Sequence, residues 1–162
     1  MKIVSNSSPL IFLAKIGKLD FLKGYHLLVP EQVIGEVIGR NKEKDQSLLI
    51  EDWLGKNKAL VKKPKLLRNL PDGLGDGEKA AISLAVAEGV STILLDERKA
   101  RRTAKLLGLN PKGTIGVIYE QFLRGNIKRH ECKYLVLELV KTGYRIKEEL
   151  LAEFLQNIDK QK

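Results

Sequence analysis

Short apolar runs alternate with longer segments of helical periodicity along most of the chain. Ile3-Val4, Tyr25 to Val29 and Thr92 to Leu95 are predicted strands, Ala59 to Lys62 is a weaker one, and Asn110 to Gly113 is a turn or short strand. Short strands that are apolar on both faces are typical of a parallel sheet covered by helices. The pattern therefore predicts the α/β class.

The predicted helices follow from apolar stripes and from residues that start or stop helices. Ser8 is the predicted N-cap of the first helix, Pro9 occupies its first position, and Gly17 ends it. Pro30 opens a second helix with an apolar stripe of Val33, Ile34, Val37 and Ile38. Further helices are predicted over residues 44–54, 78–88, 97–107, 114–124, 131–142 and 147–159, with a loop over 63–77.

The length of 162 residues is that of one domain, and we predict a single domain over residues 1–162. No apolar run reaches the ~18 residues that a membrane span needs. The N-terminus enters a predicted strand at once and lacks the pattern of a signal peptide. We therefore expect a cytoplasmic protein without a membrane segment.

Cysteine and histidine usage limits the metal chemistry that the chain can carry. Cys132 is the only cysteine, which excludes an intrachain disulfide and a thiolate metal site. His26 and His130 are the only histidines, so a zinc site of the usual kind is not expected. A bound metal would need oxygen ligands, and this requirement indicates Mg²⁺ or Mn²⁺.

The charge balance indicates a polyanionic partner. The formal net charge is +9 at pH 7, and a basic balance of this size indicates nucleic acid as the first candidate. The alternative is a lysine-rich, solvated surface that binds no partner. Charge alone does not separate the two, because it governs association and not fold.

Two polar residues directly follow predicted strands. Asn6 comes after the first strand, and Asp96 comes after Ile93-Leu94-Leu95. Ligands of open α/β sheets bind at the carboxyl ends of the strands, and this rule selects both residues as site candidates. We predict that the two strands pair in one parallel sheet and place Asn6 and Asp96 at the same edge. Each also has a purely structural interpretation, because aspartate is a favoured N-cap and asparagine often bonds its own backbone in a turn.

Acidic residues at two helices are the other candidates. Asp76 and Glu78 stand at a predicted helix start, where acids also interact favourably with the helix dipole. Gly75 and Gly77 flank Asp76 and would let the backbone approach another element closely. Glu36 borders the apolar stripe of the second helix, although on its own it would be a solvated glutamate.

The order of these features along the chain is more specific than any one of them. In that order the sequence resembles the PIN-domain family, and in particular its prokaryotic branch of toxin-like proteins, the VapC-type ribonucleases. The resemblance covers a core of about residues 2–124 and extends to C-terminal helices at about 131–159. The segments that carry it are Val4-Ser5-Asn6-Ser7-Ser8-Pro9-Leu10-Ile11, Val29-Pro30 with Glu36, Gly77-Glu78-Lys79-Ala80-Ala81, Leu94-Leu95-Asp96-Glu97-Arg98-Lys99-Ala100-Arg101 and Gly113-Thr114-Ile115-Gly116-Val117.

The resemblance implies a three-layer α/β/α fold with a short parallel sheet and a helical C-terminal tail. It implies metal-dependent cleavage of RNA phosphodiesters, with Glu36, Glu78 and Asp96 as the catalytic residues. Carboxylates suit this chemistry because they are ionised well below neutral pH. It also implies that RNA is the substrate and that an antitoxin protein is a possible partner, if the chain is the toxin of a toxin–antitoxin pair.

By the same resemblance, the ligands of Mg²⁺ or Mn²⁺ are Asn6 together with those three acids. Asp76 and Glu97 are nearby acids, and Thr114 matches a hydroxyl residue at the same edge of the sheet. Asn6 departs from the family, which usually has aspartate there, and its amide oxygen brings no charge. An alternative function is therefore a catalytically weakened module that binds RNA or a protein.

Two further expectations concern the surface. Arg98 and Arg102 lie four residues apart on a basic helix and are candidate RNA contacts, unless that helix face is only solvated. We also predict a homodimer, partly because the resembled family often pairs. The other reason is a set of apolar residues that exceeds what a small sheet can cover: Val117, Ile118, Phe122, Leu150, Leu151, Phe154 and Leu155.

Overall fold

A computed structural model of the protein describes residues 1–39 and 44–161. Within these ranges the centre is a parallel sheet of five strands in the order β3-β2-β1-β4-β5. Val4 in the central strand pairs with Leu28 on one side and Ile93 on the other, so the predicted pairing of the first and fourth strands is confirmed. The strands are β1 (Lys2–Ser5), β2 (His26–Pro30), β3 (Leu60–Lys62), β4 (Thr92–Leu94) and β5 (Asn110–Lys112).

Eight α-helices flank the sheet in the described part of the chain: α1 (Ser7–Lys15), α2 (Glu31–Ile34), α3 (Lys44–Lys56), α4 (Asp76–Ala87), α5 (Arg98–Leu106), α6 (Thr114–Leu123), α7 (Arg129–Lys141) and α8 (Glu148–Lys160). A 3-10 helix (Leu19–Leu22), which was not predicted, follows α1. Every predicted helix is present with its ends shifted by at most two residues. None of the helices described is long and apolar enough to cross a membrane.

Helices cover the sheet on both faces because successive strand residues point to opposite sides. Ile3 of β1 packs in a cluster with residues of α1, α2 and α3, and Val4 packs in another with residues of α4 and α5. Both side chains are fully buried, and such burial stabilises the fold by about 1.5–3 kcal/mol for each large apolar side chain. The predicted three-layer α/β/α architecture is confirmed.

The C-terminal helices form a third apolar cluster outside the sheet. Helices α7 and α8 pack with α6, and Ile118, Cys132 and Ile158 are fully buried between them. Phe154 is partly buried in the same cluster, whereas Leu150 is exposed. Most of the apolar surface used to predict a homodimer is therefore covered within the chain. That part of the argument was wrong, and the dimer itself stays a prediction.

The predicted N-cap of α1 was also wrong. Asn6 is the N-cap, the helix begins at Ser7, and Pro9 is its third residue. Proline is tolerated at any position of a first turn, because the N–H groups there have no partner within the helix. Pro9 therefore does not mark the first helical position, and the Ser8 hydroxyl donates to Asp96 instead of capping the helix.

The second helix changes geometry halfway along its length. It continues from α2 as a π-helix (Gly35–Gly39), whose hydrogen bonds span five residues and whose turns are wider. The wider turn rotates the later side chains away from the α-helical stripe. Val33 and Val37 are buried as predicted, but Ile38 is 40% exposed, so the predicted stripe was wrong at that residue. Glu36 lies within the π-helical segment.

Candidate active site

The carboxyl ends of β1 and β4 lie side by side, and we call this side of the sheet the carboxyl edge. The backbone N–H of Asn6 donates to the carbonyl oxygen of Leu94 at 3.1 Å. Two residues further on, the Ser8 hydroxyl donates to Oδ2 of Asp96 at 3.0 Å. Asn6 and Asp96 are thus at the same edge of the sheet, as predicted from the strand ends.

Asn6 presents a buried oxygen to this edge. The residue is 4% exposed and its side chain makes no capping hydrogen bond to the helix that it precedes. Its Oδ1 atom is buried and has no hydrogen-bond partner in the described part of the chain. An unsatisfied buried acceptor costs about 1–3 kcal/mol, so this oxygen is suited to a ligand.

Glu36 is held tightly against the start of α4. Its Oε1 accepts the backbone N–H of Gly77 at 2.8 Å, and its Oε2 accepts the Ser7 hydroxyl at 2.7 Å. A Cβ atom at position 77 would stand 2.6 Å from both carboxylate oxygens, so any residue other than glycine would displace the Glu36 carboxylate. The close approach expected from the glycines is confirmed, and the interpretation of Glu36 as a solvated side chain was wrong.

Of the three candidate carboxylates, Glu78 accepts the fewest hydrogen bonds from the residues that the structure describes. Its Oε2 accepts the backbone N–H of Gly75 at 2.8 Å, which is one half of a capping box, since glycine has no side chain to complete it. Burial raises the pKa of Glu78 above its ordinary value, the neighbouring charges of Glu97 and Glu36 raise it further, and the Gly75 bond opposes them. Glu36, Glu78 and Glu97 are therefore one electrostatically connected group.

Asp96 is the opposite case, because it accepts four hydrogen bonds. Its Oδ1 accepts from the backbone N–H of Thr114 at 2.7 Å and the Tyr144 hydroxyl at 2.8 Å. Its Oδ2 accepts from the Thr114 hydroxyl at 2.7 Å and the Ser8 hydroxyl at 3.0 Å. Asp96 does not cap α5, whose N-cap is Glu97, so that structural interpretation was wrong.

Three residues at this edge were not selected from the sequence. Ser7 orients Glu36, and Tyr144, which follows α7, reaches Asp96 across 48 positions of sequence. Arg101 is half-buried on α5. Burial and the Asp96 charge raise the pKa of Tyr144, and the charge of Arg101 partly opposes that rise. Arg101 belongs to the basic run of that helix, but nothing in the run distinguishes it. No local pattern could have linked Tyr144 to the site.

The other predicted site residues lie further out. Arg98 and Arg102 are exposed on α5, and Asp76 is exposed at the first position of α4. Among the described residues, no three His, Cys, Asp or Glu side chains stand close enough to hold a metal ion without rearrangement. The tight three-carboxylate cluster that we expected is thus not preformed, because each carboxylate is turned toward its own hydrogen-bond donors. The metal-binding and catalytic roles stay predictions.

Solved structures of similar shape are known. One is a PilT N-terminus domain protein, SSO1118, from the hyperthermophilic archaeon Sulfolobus solfataricus P2, with 21% identity, a TM-score of 0.51 and coverage of 74% of this chain and 92% of that one. Another is a domain of a functionally unknown protein from Methanocaldococcus jannaschii DSM 2661, with 14% identity, a TM-score of 0.48 and coverage of 69% and 89%. The first likeness shows the fold alone, and the second is too weak to support an argument.

Sequence comparison gives the family. No curated protein matches the chain. A family profile described as "DUF3368: PIN domain" matches residues 2–160, which is nearly the whole chain. This match agrees with the parallel sheet, with the acidic carboxyl edge and with the resemblance noted from the sequence. The chain belongs to the PIN-domain family, whose fold is of the nuclease type and whose members typically use divalent metal ions.

Proposed function

We propose that this PIN-domain protein is a metal-dependent endoribonuclease that cleaves RNA phosphodiesters at the carboxyl edge of its sheet. The observation that carries the proposal is the unpartnered, buried Oδ1 of Asn6 beside an edge that also holds Asp96 and Glu36. The catalytic residues are Glu36, Glu78 and Asp96. A site of this composition in a family of nuclease-type fold has phosphodiester hydrolysis as its simplest use.

The residues present fit a hard divalent cation in their donor atoms, although their arrangement must change to bind one. The four candidate ligands offer only oxygen atoms, one amide oxygen from Asn6 and carboxylate oxygens from Glu36, Glu78 and Asp96, and Mg²⁺ and Mn²⁺ prefer such ligands. A cation would satisfy Asn6 Oδ1 and relieve the repulsion by Glu97 and Glu36 that adds to the effect of burial on the pKa of Glu78. When bound, it would supply Lewis-acid activation of water and stabilise charge on the phosphate.

The surrounding donors orient the carboxylates for this task. Ser7 and Gly77 hold Glu36 with one hydrogen bond to each oxygen, so its plane cannot turn. Thr114 holds both oxygens of Asp96 at once. Each donor restricts how far its carboxylate can move, and this restriction favours one orientation of each ligand when the carboxylates rearrange around a cation.

The substrate is proposed from charge and from the α5 surface. A net charge of +9 favours binding to a polyanion. Arg98 and Arg102 are exposed on α5, directly after the β4–α5 connection that carries Asp96. We propose that they contact the RNA backbone on its way to the carboxyl edge, since guanidinium groups pair with phosphates bidentately.

The biological setting that we propose is a toxin–antitoxin pair. A VapC-type toxin with an antitoxin partner is compatible with the family and the fold, and a small neighbouring gene encoding an antitoxin would support it. The cytoplasmic location, the single domain over residues 1–162 and the homodimer belong to the same proposal. Light scattering at working concentration tests the dimer, and a monomeric mass would reject it.

The second candidate function is a PIN module that binds RNA or a protein with little or no catalysis. The observation in its favour is Asn6 itself, because an amide oxygen contributes no negative charge to the metal site. The two functions differ in one measurable property, which is turnover. Binding without cleavage in the presence of Mn²⁺ would favour the second candidate.

The test is Mn²⁺-dependent cleavage of labelled RNA by the wild type and by Glu36→Gln. Glutamine keeps an acceptor for the Gly77 N–H and removes the charge, so loss of activity reports on the charge and not on the fold. Glu51→Gln is the matched control, since Glu51 is exposed on α3. Equal cleavage by the wild type and Glu36→Gln would reject the catalytic role of this edge.

A further inference from the structure

One of the four donors to Asp96 comes from the C-terminal tail. Tyr144 follows α7, and its hydroxyl donates to Oδ1 of Asp96 at 2.8 Å. Its ring is half-buried and packs edge-on against Phe12 of α1, with 5.0 Å between ring centroids and 81° between the ring planes. The tail thus places a rigid side chain at the carboxyl edge of the sheet.

The four donors to Asp96 differ in how freely they can move. At Oδ1 the donors are the backbone N–H of Thr114, fixed by the start of α6, and the Tyr144 hydroxyl, whose oxygen lies in the plane of a packed ring. At Oδ2 both donors are aliphatic hydroxyls, from Ser8 and Thr114. A serine or threonine hydroxyl can point its hydrogen elsewhere by rotation, or change its χ1 rotamer, whereas a packed phenol oxygen stays in place.

This division assigns different uses to the two oxygens. An ionised carboxylate has about four acceptor positions, and Asp96 uses four, so any new partner must replace an existing donor. Replacement is easier at Oδ2, where the donors can turn away. There is also little free space beside Oδ1, because a Cβ atom on Gly113 would lie 3.1 Å from it and 3.6 Å from the Tyr144 hydroxyl.

We propose that Tyr144 is a positioning residue, which fixes Oδ1 of Asp96 so that Oδ2 is the oxygen presented to a divalent cation. The inference rests on the proposed function, because it presumes that Asp96 binds metal. It makes the C-terminal tail a working part of the site. Residues that hold a metal ligand in place from outside the coordination sphere typically change metal affinity by about 10–100-fold when removed.

The test compares three variants with the wild type by titrating Mn²⁺ and following the EPR signal of the free ion. Tyr144→Phe keeps the ring and removes the donor to Oδ1, and we expect Mn²⁺ affinity to fall about ten-fold. Ser8→Ala removes a donor from Oδ2, and we expect affinity to stay within about two-fold of the wild type or to increase. Tyr119→Phe is the matched control, because Tyr119 is also half-buried and packs edge-on against Phe154.

The outcomes separate this inference from the proposed function. Melting temperatures measured in the presence of a chelator show whether each variant is folded. If Tyr144 had only a structural role, Tyr144→Phe would have a lower melting temperature, but its Mn²⁺ affinity would not differ from that of Ser8→Ala. Two outcomes would overturn the positioning role and leave the proposed function standing. One is an equal loss of Mn²⁺ affinity in Tyr144→Phe and Ser8→Ala. The other is no loss of affinity in Tyr144→Phe while Glu36→Gln binds Mn²⁺ weakly. No Mn²⁺ binding by the wild type overturns both.

Discussion

Two acidic residues near the carboxyl edge, Asp96 and Glu78, differ in how their negative charges are compensated. Asp96, after β4, accepts four hydrogen bonds from Ser8, Thr114 and Tyr144. Glu78, in the first turn of α4, accepts one from the N–H of Gly75 and faces the charges of two other glutamates. Donors compensate the first charge within the folded chain, and the second charge is left partly uncompensated.

This difference indicates which carboxylate stabilises the folded chain and which opposes folding until a cation binds. A carboxylate with several charge-assisted hydrogen bonds stabilises the fold. A half-buried carboxylate near like charges opposes folding, and a bound cation removes that opposition. We therefore expect neutral substitutions of Asp96 and of Glu78 to shift the stability of the metal-free protein in opposite directions.

The largest effect is expected from Asp96→Asn. The amide would place an NH₂ group where hydrogen-bond donors now converge, and about 3 kcal/mol of unfolding free energy should be lost without metal. Chemical denaturation measures it. Asp52→Asn is the control, because Asp52 is exposed and its surface ion pair with Lys56 should contribute little to stability. A loss at Asp96 no larger than at Asp52 would break the comparison.

Gly77→Ala tests the link between the Glu36 carboxylate and α4. The new methyl would stand 2.6 Å from both oxygens, so Glu36 must move and give up the Gly77 N–H. We expect a loss of about 1–3 kcal/mol and weaker Mn²⁺ binding. Gly55→Ala in α3 meets nothing within 4 Å and should be neutral or stabilising by up to about 1 kcal/mol.

Asn6→Asp adds a charge where the buried amide oxygen now lies. The metal-free protein should lose about 1 kcal/mol through repulsion with the other acids, and Mn²⁺ affinity should rise. Calorimetric titration of both proteins measures the affinity, and Mn²⁺ should also raise their melting temperatures by mass action. Equal affinities would show that Asn6 is not a metal-site residue.

Glu78→Gln should stabilise the metal-free protein, by up to about 1 kcal/mol at pH 7. The folded-state pKa of Glu78 is raised, so the folded protein holds the proton more tightly than the unfolded chain does. The wild type should therefore lose stability as pH rises from the ordinary glutamate pKa through the raised one. The gain from Glu78→Gln should vanish below that window, and a gain that persists at pH 3 would contradict the charge explanation.

Much of the site was predictable because its residues sit at strand ends and helix starts. Asn6 and Asp96 follow strands whose apolar pattern places them at one edge of a parallel sheet. The glycine at position 77 predicted a close approach of the backbone to another element, and that element is the segment that carries Glu36. The bond pattern around Asp96 was not predictable, because hydroxyl groups from three distant segments converge on it.

Periodicity along the chain determined the α/β class, four of the five strands, and every predicted helix to within two residues, because those features depend on local apolar spacing. It left residues 110–113 open as a turn or short strand, and the structure has β5 there. The order of polar residues at strand ends, with the family resemblance, indicated the acids of the site. Only the tertiary structure decided how each charge is held. Three features depend on contacts between residues far apart in sequence. They are the π-helical segment that orients Glu36, the packing of α7 and α8 on α6, and the hydrogen bond from Tyr144 to Asp96. Such contacts leave no periodic signal, because they arise only when separate elements pack together.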